Sequence, residues 1–152
     1  MDAPIVIARE APDQPSVAAM LAEADAFFIS LYPVEECHLL DVARLSADDV
    51  QFFVARVDGD PVGFCALVDH GDWGEVKRMY TAPVVRGRGV GRRLLETVEQ
   101  AARAGRLPVL RLETGDKLEA AITMYETAGY RRRGVFGGYP DLVDSIYFEK
   151  AL

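Results

Sequence analysis

Cysteine is scarce: Cys37 and Cys65 are the only two. Two thiols without a CxxC pair frame neither a disulfide scaffold nor a thiolate zinc site, and a reducing cytoplasm is the simplest home. Histidine is as rare, with His38 and His70 far apart, so no metal centre is expected. No stretch approaches the ~18 apolar residues of a membrane-spanning helix. The opening MDAPIVIAREAPDQPS lacks the basic start and apolar run of a signal peptide, so no membrane association is expected. Positive charge is also short: 17 basic against 24 acidic residues leave a net charge of −7. That surface disfavours nucleic acid, whose phosphates demand cations. There is no GxSxG elbow for an acyl-enzyme route, and Cys65, in GFCALV, reads as a small buried hydrophobe.

What is present suits one domain over 1–152, since 50% of the residues are hydrophobic and the length supports one core. Ile5 to Glu10 alternates weakly and reads as an edge strand. Ser16 can cap a helix in which Val17, Met20, Leu21, Ala24, Phe27, Phe28 and Leu31 recur at helical spacing, until Pro33 ends it. A short helix is expected around Leu39 to Leu45. Gln51–Val57 and Pro61–Val68 flank Asp58-Gly59, a hairpin signal. Gly74–Ala82 is a further strand. Val90, Leu94, Leu95, Val98, Ala101 and Ala102 form the apolar stripe of a helix closed by Gly105. A strand at Pro108–Thr114, a helix from Lys117 to Gly129 and strands at YRRRGVF and SIYFEK complete the chain. The order predicts a mixed α/β (α+β) domain with antiparallel hairpins and one parallel crossover.

The strongest signal lies between the third hairpin-side strand and the striped helix: Val85-Arg86-Gly87-Arg88-Gly89-Val90-Gly91-Arg92. A helix start leaves N–H groups unpaired and carries partial positive charge. Glycines clear the Cβ atoms that would block a ligand from those groups, and arginines add charge-assisted bonds. The combination suits phosphate. Other phosphate loops fit worse: Arg92 stands where the dinucleotide fingerprint needs glycine, and no Gly-Lys-Ser/Thr follows.

Arg86-Gly87-Arg88-Gly89-Val90-Gly91 resembles the R/Q-x-x-G-x-G/A signature of the GNAT family of N-acetyltransferases. AAITMYETAGY (120–130) is similar to a second motif of that family, and the likeness runs nearly the whole chain. LYPVEECHLLD, GEVKRMYTAP, LETG and FGGY resemble a bacterial subgroup, with Glu36 in place of its usual serine. Leu118 replaces the family's frequent asparagine. The resemblance implies a mostly antiparallel central sheet flanked by helices, with a splayed parallel pair made by Gly74–Ala82 and Pro108–Thr114. It implies acetyl-CoA as co-substrate. Its diphosphate would meet the main chain of Arg86, Gly87, Arg88, Gly89, Val90, Gly91 and Arg92, and its pantetheine arm would meet Met79, Tyr80 and Thr81. It also implies a main-chain oxyanion donor around Lys77 to Met79.

Acetyl transfer to an amine by direct attack needs a deprotonated amine, an oxyanion donor and an acid for the leaving thiolate. Tyr125, in the second motif, is the candidate acid, because a phenol stays protonated at neutral pH; its alternative is core packing. Glu75 is the candidate base and shares a strand face with Lys77 unless a bulge intervenes; a plain surface pair is the alternative. Glu113, at a strand's C-terminal end, and His38 are rivals. His70 reads as a turn residue. Tyr32 and His38, after the first helix, are expected at the acceptor pocket. Arg78 and Arg111, arginines within apolar strands, either face solvent or hold an acceptor carboxylate. A small-molecule amine is the expected partner. A peptide acceptor, or a non-catalytic acyl-CoA-binding module, is the alternative. Open sheet edges would also allow a homodimer.

Overall fold

The computed structural model describes residues 3–152. Among them the order is β1 (Ile5–Arg9), α1 (Pro15–Leu31), α2 (Val42–Leu45), β2 (Val50–Val57), β3 (Asp60–Asp69), β4 (Gly74–Thr81), α3 (Val90–Ala104), β5 (Val109–Gly115), α4 (Glu119–Thr127), β6 (Arg131–Arg133) and β7 (Ser145–Ala151). The strands form one sheet in the order β1-β2-β3-β4-β5-β7-β6. Every neighbouring pair is antiparallel except β4–β5. This is the mixed, mostly antiparallel sheet that the residue pattern and the resemblance predict.

Period-two alternation sends successive side chains of a strand to opposite faces, and the core divides accordingly. Phe52, Val54, Phe64 and Ala66 pack with Val17, Met20, Leu21 and Ala24 of α1 and Leu45 of α2. Phe53, Ala55, Cys65 and Leu67 pack on the other face with Val90, Leu94, Leu95, Val98 and Ala102 of α3 and Tyr125 of α4. Cys65 is fully buried and burial raises its thiol pKa, as expected of a packing residue.

Two irregularities in β4 shape the site. Its parallel pairing with β5 is confined to Gly74↔Leu110 and Glu75↔Arg111, after which the strands part. The crossover through α3 makes the pair parallel, and the early end of the ladder makes it splay. The second irregularity is a bulge. Phe64 pairs with Tyr80, but Ala66 pairs with Lys77, so β4 carries an extra residue. Arg78 takes up the distortion at φ 59°, a left-handed conformation that a long side chain rarely adopts. The bulge follows Lys77, so Glu75 and Lys77 keep one face.

Element ends differ from expectation in four places. Pro15 opens α1 and Ser16 lies inside it, because proline's fixed φ suits the first helical position. α2 starts at Val42, where the Asp41 side chain accepts from Arg44 N–H at 2.8 Å. α4 starts at Glu119 and not at Lys117, whose N–H is taken by the Tyr32 hydroxyl. β6 stops at Arg133, and the chain then loops to β7.

Leu94 is fully buried in the α3 face of the core. Leu94→Ala is expected to lower the unfolding free energy by about 2–5 kcal/mol, seen as a lower urea midpoint with an unchanged slope.

Candidate active site

The glycine loop opens on a groove. A 3-10 turn at Pro83–Val85 leads into it, and Arg88 N–H closes back on Val85 O at 3.1 Å. Gly89 stands immediately before α3 at φ 80°, where a Cβ would be strained. A Cβ built on Gly87 or Gly89 meets no atom within 4 Å, so the face of the loop is open. The first α3 bond that reaches back to Gly89 is Arg93 N–H to Gly89 O, 3.1 Å. The N–H groups before Arg93 therefore have no partner within the helix.

A cavity of about 610 Å³ runs from this loop along β4 to α4. It is lined by Met79, Tyr80, Thr81, Arg86, Gly87, Gly89, Val90, Gly91 and Arg92 of the expected set. Arg88 does not line it, and its guanidinium donates to Ala3 O at 3.1 Å. Arg86 lies over the Phe27 ring at 5.2 Å, and Arg92 pairs loosely with Glu96 at 3.3 Å on an exposed turn.

A second cavity, about 110 Å³, shares Phe28, Met79, Leu118 and Ala121 with the first. The two therefore meet at Met79 of β4, past the end of its ladder with β5 and between α1 and α4. Tyr32, His38, Lys77, Arg78, Glu113 and Tyr125 line the smaller one. Tyr125 is buried, its ring 5.9 Å from those of Tyr130 and Phe148, and burial drives its phenol pKa far up. The residue thus packs the core and also faces the cavity. Tyr32 donates to Asp116 Oδ1 at 3.1 Å and accepts from Lys117 N–H at 2.7 Å; burial leads in pushing its pKa up to about 12. Its hydroxyl passes so close to Gly115 that a Cβ there would lie 2.3 Å away.

Glu75 is buried but does not line either cavity. Its Oε1 meets His70 Nε2 at 3.0 Å, and its Oε2 accepts from the Tyr139 hydroxyl. Tyr139 in turn accepts from Lys77 Nζ, which also donates to His38 O at 3.2 Å. Burial lowers the Lys77 pKa, opposed chiefly by Glu75. The Glu75–Lys77 pair, 3.8 Å apart, is buried and not on the surface. His70 occupies a turn, as expected, but also stacks on Trp73 at 4.1 Å and joins this chain of bonds.

Glu113 reaches the cavity from the end of β5. Ser145 donates to its Oε2 at 2.9 Å, and no bond to Oε1 is found among the described residues. Burial raises its pKa, opposed by Ser145 and then Lys77. Arg111, expected near the acceptor, is elsewhere: it pairs with Glu149 at 2.7 Å and lies over the Trp73 ring at 4.9 Å. It belongs to the stretch of β5 that still pairs with β4, before the splay.

Residues 17–130 match the model of the acetyltransferase (GNAT) family. This chain belongs to that family. An IAA acetyltransferase of Azospirillum brasilense is 44% identical, with 97% of this chain and 98% of the relative aligned. Among solved structures, a Klebsiella pneumoniae protein described as an acyl-CoA N-acyltransferase is 34% identical over 97% of each chain, with a TM-score of 0.81. The PaiA N-acetyltransferase of Thermoplasma acidophilum, solved in complex with coenzyme A, shares the fold at 17% identity, 98% and 99% coverage and a TM-score of 0.77.

Within this GNAT frame two side chains of the site carried little sequence signal. Tyr139 comes from the loop between β6 and β7; FGGY marks its segment as part of the subgroup resemblance but gives the tyrosine no role. Lys77 was legible as a partner of Glu75, but its burial depends on the loop that covers it.

Gly115→Ala forces Tyr32 from its seat. The change is expected to cost about 1–3 kcal/mol of stability in urea titration, and much less in a Tyr32→Ala background, because the clash then has no partner.

Proposed function

We propose that this acetyltransferase moves an acetyl group from acetyl-CoA to the amine of a small molecule by direct attack in a ternary complex. The meeting of the two cavities at Met79, past the end of the β4–β5 ladder, carries the reading. The longer groove ends on the unpaired N–H groups of α3, which suit a diphosphate, and the open space over Gly87 and Gly89 accommodates one. The groove then follows Met79, Tyr80 and Thr81 to the smaller cavity. A pocket of about 110 Å³ suits a compact acceptor better than a peptide, which needs an open channel. The likeness to the Azospirillum brasilense enzyme supports this direction and makes IAA one acceptor to assay.

The chemistry requires two protons to leave the acceptor nitrogen. We assign the first to Glu113, because it lines the cavity with only one oxygen bonded among the described residues and its raised pKa makes it a stronger base. Glu75, expected as the base, is separated from the cavity by Tyr139 and Lys77 and positions them. The neutral nitrogen attacks the thioester carbon. Main-chain N–H groups beside the β4 bulge, out of register with β3, are the donors to the oxyanion. The C–S bond breaks, the sulfur takes the Tyr125 proton, and the second nitrogen proton returns Tyr125 to its phenol form through solvent.

Acetyl-CoA is expected to raise the melting temperature of the wild-type protein. Gly89→Glu, which puts bulk and negative charge before α3, should remove that rise; a rise that persists contradicts the loop's role. Tyr125→Phe should reduce turnover and leave the acetyl-CoA shift intact. Glu113 must be ionised to act, so kcat/KM for the amine is expected to increase with pH through its elevated pKa. Glu113→Gln should abolish that acidic limb and lower the rate on the order of 10²–10⁴-fold.

A further inference from the structure

Two buried side-chain atoms lack a hydrogen-bond partner among the described residues: Arg78 Nε and His38 Nε2. Both residues line the smaller cavity. Leaving such an atom unpaired costs about 1–3 kcal/mol, so each requires an explanation. The Arg78 side chain is only 2% exposed. Asp25 takes its Nη1, and no bond from Nη2 is found among the described residues. The edge that presents Nε and Nη2 together is the fork a carboxylate binds with two parallel bonds. The bulge fixes this arrangement, because Arg78 is the residue at φ 59°. Phe64 supports the guanidinium at 5.7 Å.

His38 is also held by its surroundings. Its own φ is 51°, its carbonyl accepts Lys77 Nζ, and its ring meets Tyr139 edge-on at 4.9 Å. Burial, then Lys77, lowers its pKa, so the ring is neutral and donates from Nε2 in one tautomer. Glu113, Asp144 and Glu36 supply negative charge to the same cavity, so the site presents both signs.

We infer that the acceptor is a compact aminocarboxylate of the amino-acid class, its carboxylate held by Arg78 and His38 and its amine directed to Glu113. The inference rests on the small-amine reading above and adds the second functional group of the acceptor. A carboxylate satisfies both orphaned donors, whereas an acceptor without an anion leaves them unpaired in the complex. The same site therefore rejects simple amines.

The test compares α-amino acids with their own α-amides, and with amines lacking the carboxyl carbon, by release of the coenzyme A thiol from the wild-type enzyme. At least one amino acid should exceed its amide and its decarboxylated amine by about tenfold or more in kcat/KM, the equivalent of one hydrogen-bonded contact. His38→Asn and Arg78→Lys should shrink that ratio, mainly through KM of the acid. The wild-type comparison stands even if the buried Arg78→Lys variant fails to fold. Equal use of acid and amide, use of simple amines alone, or a ratio unchanged in His38→Asn overturns the inference and leaves the small-amine reading standing. No turnover of any amine offered overturns both.

Discussion

The ladder between β4 and β5 ends after two residue pairs, and the proposed reaction depends on the gap that follows. A sheet normally fills the space between neighbouring strands with hydrogen bonds. Here the bonds cease beyond Glu75 and Arg111, so main-chain groups of β4 become available to something other than β5. The smaller cavity is lined by β4 and β5 residues across this gap, and the larger one runs from Met79 of β4 to the start of α3. A fold with β4 and β5 paired to their ends would have the same core and no place for the reaction.

The charged groups below the gap are costly to bury and are kept because each is bonded. Glu75 takes bonds from His70 and Tyr139, and Lys77 gives bonds to Tyr139 and His38. Removing one partner of such a set strands the others without water. The arrangement gives Lys77 a fixed place in the cavity wall and holds the loop from Gly134 to Asp144 against the sheet through Tyr139. Where bonding is incomplete, at Arg78 and His38, the gap in the hydrogen-bond accounting falls in the cavity wall and not in the core.

Much of the fold was legible because its signals are local. The Asp58-Gly59 turn, the α3 stripe and the glycine loop each specify structure within a few residues. The open loop before α3 was legible for the same reason: its unpaired donors are its own main chain. The Arg88 side chain turns away from the groove to Ala3 O, just before β1, a neighbour remote in sequence. The smaller cavity was less legible, since it is assembled from α1, β4, β5, α4 and the residues around the start of β7. Glu75 and Arg111 look alike in sequence as charges in apolar strands, yet the network around Tyr139 claims one and Glu149 the other. The bulge at Arg78 is also invisible locally; nothing in VKRMY announces a left-handed arginine.

A diphosphate held by main-chain donors at the start of α3 is the centre of the proposed function. A crystal structure with coenzyme A tests this most directly. The diphosphate is expected within hydrogen-bond distance of N–H groups between Gly87 and Arg92, with the pantetheine arm running beside Met79 to Thr81 and the thiol in the β4–β5 gap. A nucleotide seated elsewhere, with that loop bare, contradicts it.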